Sequence, residues 1–199
     1  MVDDEAQLLI GAAWRVLERA GFEGFKVQLV MREAGVSARV FYRHFADKDQ
    51  LVLALLRDEM ARAGSHLRAA VAGQDDPVAQ VEAWIRAVIS AAADPRRVAR
   101  ARLFSSQQKL FRRFPREVAE GTHLLMEPLR QALERGADTG AFRWVDPDRD
   151  APLIYALTGG ELTAALADQP GENVDGVVAE TTAFVLRALG VPPDGWPVS

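Results

Sequence analysis

The chain has no cysteine among its 199 residues. That excludes disulfides and thiolate metal sites and leaves the redox compartment unconstrained. Histidine is almost as scarce: His44, His66 and His123 are the only three, and they share no metal-ligand spacing. No glycine-rich loop is built to cradle phosphate, and no serine sits in a nucleophile-elbow setting. Glu161 and Asp168 stand as isolated carboxylates on helical segments. The expectation is therefore a protein that is not an enzyme and holds neither metal nor cofactor. No apolar run approaches the roughly 18 to 20 residues that would span a membrane. The N-terminus, MVDDEAQLL, is acidic where a signal peptide is basic. A cytoplasmic location follows by default. Internal repeats are absent, and no segment alternates apolar and polar residues well enough to predict a strand.

What remains is helix. Hydrophobic residues make up 49% and charged residues 26%, the composition of a globular chain with material for a sizeable core. An all-α fold of about nine helices is expected. Residues 3–20 read as the first, capped by Asp3 or Asp4, with Leu9, Ala13, Val16, Leu17 and Ala20 on its apolar face and Gly21 at its end. Phe22 and Phe25 follow as expected core. Asp47 caps a long helix reaching to about Gly73, with Gln50 placed to complete a capping box and Leu51, Leu55, Met60 and Leu67 on its inner stripe. Asp76-Pro77, Asp94-Pro95 and Asp146-Pro147 each pair a cap with a proline in the first turn, and so mark three further helix starts. Pro115 opens another helix running to about Arg135. Residues 136–146 read as a loop anchored by Phe142, Trp144 and Val145. A last helix covers about residues 174–189, and the Pro- and Gly-rich residues 191–199 read as a flexible tail.

The stretch that carries chemistry is VQLVMREAGVSARVFYRHF, residues 27–45. Val27, Val30, Met31 and Ala34 recur at helical spacing, and Gly35 supplies the residue that accepts a left-handed turn. Ser37 can cap a second short helix, in which Val40, Phe41 and Phe45 face inward. Ala38, Arg39, Tyr42, Arg43 and His44 lie on or near the outer side. The net charge of the chain is −4, yet residues 26–48 hold five basic residues against two acidic ones. A local basic patch on an acidic protein suits docking of one face on DNA, with the remainder repelled. Two short helices joined by a glycine turn, the second with a basic and aromatic outer face, form the pattern of a helix-turn-helix DNA reader. Arg39 and Arg43 are one turn apart, so both can enter a major groove, where arginine bonds guanine through two donors.

Residues 35–56, GVSARVFYRHFADKDQLVLALL, resemble the DNA-binding signature of TetR-type transcriptional regulators. Gly35, Val36, Ser37, Tyr42, His44, Phe45, Lys48, Asp49 and Leu51 match it. Arg39 departs from it where the family often has Gly, and Met31 where a small Ala is usual. The resemblance implies a helix-turn-helix head (1–46), a helical effector-binding and dimerisation body (47–190) and the tail. It implies that Tyr42 and Lys48 contact phosphates and that Ser37, Ala38 and Val40 lie near the DNA. With Lys26, Arg39, Arg43 and His44 these make the candidate DNA-binding set. His44 can equally pack or hydrogen-bond within the head.

One head covers only a few base pairs, so useful affinity needs two heads about 34–36 Å apart. The helices at 147–168 and 174–189, rich in small and branched apolar residues, are the expected homodimer faces; paired across a two-fold axis they would make a four-helix bundle. Gly159-Gly160, costly inside a helix, suggests close approach of another backbone. TetR-like regulators commonly hold a small-molecule effector in the body, which here draws attention to Trp84, Val88, Phe104, Gln108, Phe111, His123, Met126 and Tyr155. Each of these side chains also fits an ordinary core. The segment after Asp94-Pro95 carries Arg96, Arg97, Arg100, Arg102, Lys109, Arg112 and Arg113. It reads as a solvated, partly salt-bridged face, with an acidic effector group or an auxiliary phosphate as the sharper alternative. Taken together, the expected protein is a dimeric repressor of a palindromic operator, released by an effector; the alternative is a TetR-shaped regulator that acts through a protein partner without small-molecule response.

Overall fold

A computed structural model describes residues 2–21, 24–93, 108–167 and 173–191. Among these residues there are nine α-helices, a short 3-10 turn (Ser90–Ala93) and no strand. The helices are α1 (Val2–Ala20), α2 (Val27–Ala34), α3 (Ala38–His44), α4 (Lys48–Ala72), α5 (Pro77–Ile89), α6 (Gln108–Arg113), α7 (Pro115–Thr139), α8 (Pro147–Ala167) and α9 (Val174–Ala188). The all-α expectation holds, as do the starts at Pro77, Pro115 and Pro147. The start expected at Asp94-Pro95, the arginines up to Arg102, Phe22 and the tail beyond Val191 lie outside the described residues. Among the described helices, none is long and apolar enough to cross a membrane.

The chain divides into two compact units. One takes in Met1–Glu59 and Ala99–Val118, the other Met60–Val98 and Ala119–Ser199. The first unit therefore extends past the helix-turn-helix motif, into the first half of α4 and onto α6. Its core is made by Leu9, Ala12, Ala13 and Val16 of α1, Phe25, Val30 of α2, Phe41 of α3 and Leu51 and Leu55 of α4, all essentially inaccessible to solvent. The indole nitrogen of Trp14 donates to Asp58 at 2.8 Å, tying α1 to α4. Asp47 caps α4 as expected, accepting the Gln50 N–H at 2.8 Å. Arg113 at the end of α6 pairs with both Asp47 and Asp49.

In the second unit, Trp84, Ile85 and Ile89 of α5 pack with Leu129 and Leu133 of α7 and with Val178 and Val185 of α9. Asp76 caps α5 by accepting the Ala79 N–H at 2.9 Å. Two expectations are corrected here. First, α7 does not stop near Arg135 but continues to Thr139. Gly136 is no stop signal: a Cβ there would fall 2.0 Å from Cδ2 of Phe142, so glycine is the residue that lets that ring lie on the helix. Second, Phe142 anchors the loop, but Trp144 does not, being 64% exposed. Gly159 and Gly160 have no atom among the described residues within 4 Å of where a Cβ would stand.

Candidate DNA-binding face and body site

The turn between α2 and α3 follows from two residues. Gly35 takes φ 66° and ψ 29°, the left-handed region that glycine enters without a Cβ clash. Its N–H donates to the Arg32 carbonyl at 3.2 Å and that of Val36 to Met31 at 3.0 Å, satisfying the end of α2. Ser37 then starts α3, its hydroxyl accepting the Val40 N–H at 3.4 Å. A seven-residue helix has negligible stability alone. This one is held by Phe41, fully buried, whose ring meets Phe45 at 5.8 Å and the edge of Tyr42 at 5.2 Å.

With Phe41 inward, Ala38, Arg39, Tyr42 and Arg43 stand in solvent, Tyr42 at 61% exposure, and Val40 is half-buried. Lys26, Tyr42 and Lys48 border one hollow of about 420 Å³ at the start of α2, together with Phe25, Phe41 and Asp47. The Lys48 ammonium lies 5.4 Å from the centre of the Phe25 ring. Lys26 precedes α2 without a side-chain cap, so the positive end of that helix opens on the hollow's rim. The arrangement offers two ammonium groups, a phenol and helix N–H groups to an oxyanion such as a phosphate.

His44 takes a different position from its neighbours. Its side chain is only 6% exposed, and Nε2 lies 2.9 Å from Oε2 of Glu5 on α1. The same carboxylate oxygen accepts from Nη2 of Arg43. The His44 hydrogen bond, followed by that of Arg43, holds the Glu5 carboxyl below its ordinary value of 4.5. Sequence reading missed Glu5, treating it only as part of an acidic helix start. Nothing in the spacing of residues 5 and 43 signals that they meet.

Residues 9–55 match the model of bacterial regulatory proteins, tetR family. The head is a tetR-family domain. No curated protein sequence matches the chain. Among solved structures, a Mesorhizobium loti protein assigned to the TetR family of transcriptional regulators is similar at TM-score 0.78 and 14% identity, over 94% of this chain and 98% of that one. A TetR transcription regulator from Haloarcula marismortui is similar at TM-score 0.74 and 18% identity, over 94% and 98%. The regulator FadR from Bacillus subtilis, solved in complex with stearoyl-CoA, is similar at TM-score 0.73 and 16% identity, over 90% and 96%. The TetR fold thus extends through the body as well as the head.

In the body, the expected effector residues separate. Trp84 is fully buried, donates its indole N–H to the Leu125 carbonyl at 3.0 Å, and lies 6.4 Å from the Tyr155 ring. Burial pushes the Tyr155 phenol up from its ordinary value, partly offset by a hydrogen bond with Thr122. Val88 and Met126 are half-buried. His123 instead points to solvent, 66% exposed and 3.7 Å from Glu127. Phe111, half-buried on α6, belongs to the first unit. Phe104 and the Gln108 side chain lie outside the described residues. Three residues beyond Tyr155, Thr158 is completely buried and its hydroxyl finds no hydrogen-bond partner among the described residues. Sequence reading missed that residue too, since a lone Thr in an apolar helix gives no signal. It also missed an open groove of about 670 Å³ between α5 and α9, lined by Val78, Glu82, Arg86, Val178, Thr182 and Leu186 among others. Among the described residues, no cluster of three or more His, Cys, Asp or Glu is placed to hold a metal ion.

Proposed function

We propose that the protein is a TetR-type DNA-binding transcriptional regulator, a repressor that occupies a palindromic operator as a homodimer and is released by a small-molecule effector. The observation that carries this reading is α3 itself: a short helix pinned by the buried Phe41, with Ala38, Arg39, Tyr42 and Arg43 exposed along one side. Arg39 and Arg43 suit base edges in the major groove, while Lys26, Tyr42 and Lys48 around their shared hollow suit phosphates. Ser37 and Val40 frame the helix at its start. His44 supports the face from within, through Glu5. Such a regulator works in the cytoplasm, where it meets its DNA, and performs no catalysis.

Dimerisation through α8 and α9 is supported by what those helices leave uncovered. Leu153 is 61% and Phe184 56% exposed, and the open Gly159-Gly160 pair leaves room for a second backbone. The effector is assigned to the body around Trp84, Tyr155 and Thr158. A buried hydroxyl without a partner is costly, and a ligand group could satisfy it. Since the Bacillus subtilis FadR was solved with stearoyl-CoA, long acyl-CoA esters belong in an effector screen. The reading is tested by gel-shift of the purified protein on the DNA upstream of its own gene. Tight binding released by an effector is expected. Binding no tighter than to random DNA would overturn it.

A further inference from the structure

Arg43 and His44 are consecutive on α3 but occupy opposite environments, the side chain of one 56% exposed and of the other 6%. Glu5, 39% exposed, bridges them with a single oxygen. The buried imidazole fixes the carboxylate from beneath, and the carboxylate fixes the guanidinium at the surface. We propose that Glu5 is a positioning residue for DNA reading: anchored by His44, it holds Arg43 in place on the recognition helix for contact with a base. The proposal rests on the reading of α3 as the DNA-contacting helix.

A free arginine carries about 2 kcal/mol of rotamer entropy, which binding must otherwise remove. Holding the side chain in the free protein shifts that cost from binding to folding. The tether also leaves Arg43 able to read. Only Nη2 is engaged with Glu5, while a guanidinium has five N–H donors and a guanine needs two. Glu5 also places a negative charge on a basic face. That charge repels phosphates regardless of sequence, so Glu5 weakens indiscriminate binding while favouring the ordered Arg43 that discriminates. The repulsion acts on random and preferred DNA alike, whereas the ordering of Arg43 favours only preferred DNA, which makes the two effects separable.

The test uses full-length protein and two probes: a duplex enriched by the wild-type protein from a randomised pool, and the unselected pool. Affinities for both are measured for wild type, Glu5→Ala, Arg43→Ala and the double variant. Glu5→Ala is expected to bind the unselected pool slightly more tightly and the enriched duplex more weakly. The ratio of the two affinities should fall about tenfold, which corresponds to about 1.4 kcal/mol. In the Arg43→Ala background, removing Glu5 should leave the ratio unchanged, because there is no guanidinium left to hold. A merely structural role for Glu5 would lower both affinities together and persist without Arg43. A ratio that is unchanged or raised by Glu5→Ala, or that falls equally in both backgrounds, would overturn the proposal. Failure of the wild-type protein to enrich any duplex would instead overturn the DNA-reading assignment itself.

Discussion

Replacing Phe41 by Ala probes whether the recognition helix is an integral part of the head core or a lightly attached appendage. The ring is wholly buried, and it is the only residue of α3 that is. Truncating a buried Phe costs about 3–5 kcal/mol from lost transfer energy and the cavity left behind. Contacts with Phe45 and Tyr42 keep the value from the low end, and the possibility of Phe45 moving inward keeps it from the high end. About 4 kcal/mol is therefore expected. At 1.4 kcal/mol per factor of ten, that is an increase of roughly 700-fold in the population of the open head. Hydrogen exchange read at the buried α1 positions Ala12, Ala13 and Val16 is the suitable assay, since those amides exchange through opening of the whole head. If they accelerate by less than tenfold while the amides of α3 accelerate fully, α3 unfolds by itself. Its frame would then not be the rigid platform that the proposed function needs.

Other consequences follow from the same structure. Arg43→Ala should weaken binding to preferred DNA by about 1–3 kcal/mol with fold and dimer intact, whereas Lys26→Ala should weaken all DNA alike and reduce the salt slope by about one; titrations at several salt concentrations separate the two. A Leu153→Glu, Phe184→Glu variant should sediment as a folded monomer at micromolar concentration where the wild type is a dimer, since both positions are solvent-exposed within one chain. A wild-type monomer under those conditions would remove the two-headed mechanism. Glu33 on α2 bonds Arg15 and Arg19 of α1, and those two partners hold its carboxyl below the ordinary value of 4.5. Its stabilising contribution is accordingly complete above that value and lost as the pH falls through the lower, folded value. The melting temperature of Glu33→Gln should lie slightly below wild type at pH 7 and converge with it towards pH 3, and a gap that persists in acid would refute the pairing.

Some of this was legible without coordinates because it depends on neighbours in the chain. The left-handed turn at Gly35, the Ser37, Asp47 and Asp76 caps and the inward Phe41 are each set within four residues, over which helix geometry is nearly invariant. The exposed side of α3 then follows from its buried side. Where periodicity was the only guide, reading went astray at residues whose environment comes from elsewhere. Gly136 looks like a stop unless one knows that Phe142 folds back onto it. Trp144 looks like an anchor unless one sees that its ring stays in solvent.

The sequence by itself determined an all-helical chain, a turn that only glycine makes easily, and a helix with arginines one turn apart facing outward. Those are consequences of local dihedral preference and hydrophobic period. Only the tertiary structure decided that Glu5 would reach Arg43 and His44, 38 and 39 residues away along the chain. It alone placed Trp84 beside Tyr155 and left the Thr158 hydroxyl without a partner. The physical reason is the same in each case. A side chain's charge, partners and exposure depend on which helices close around it, and that packing is a property of the whole core.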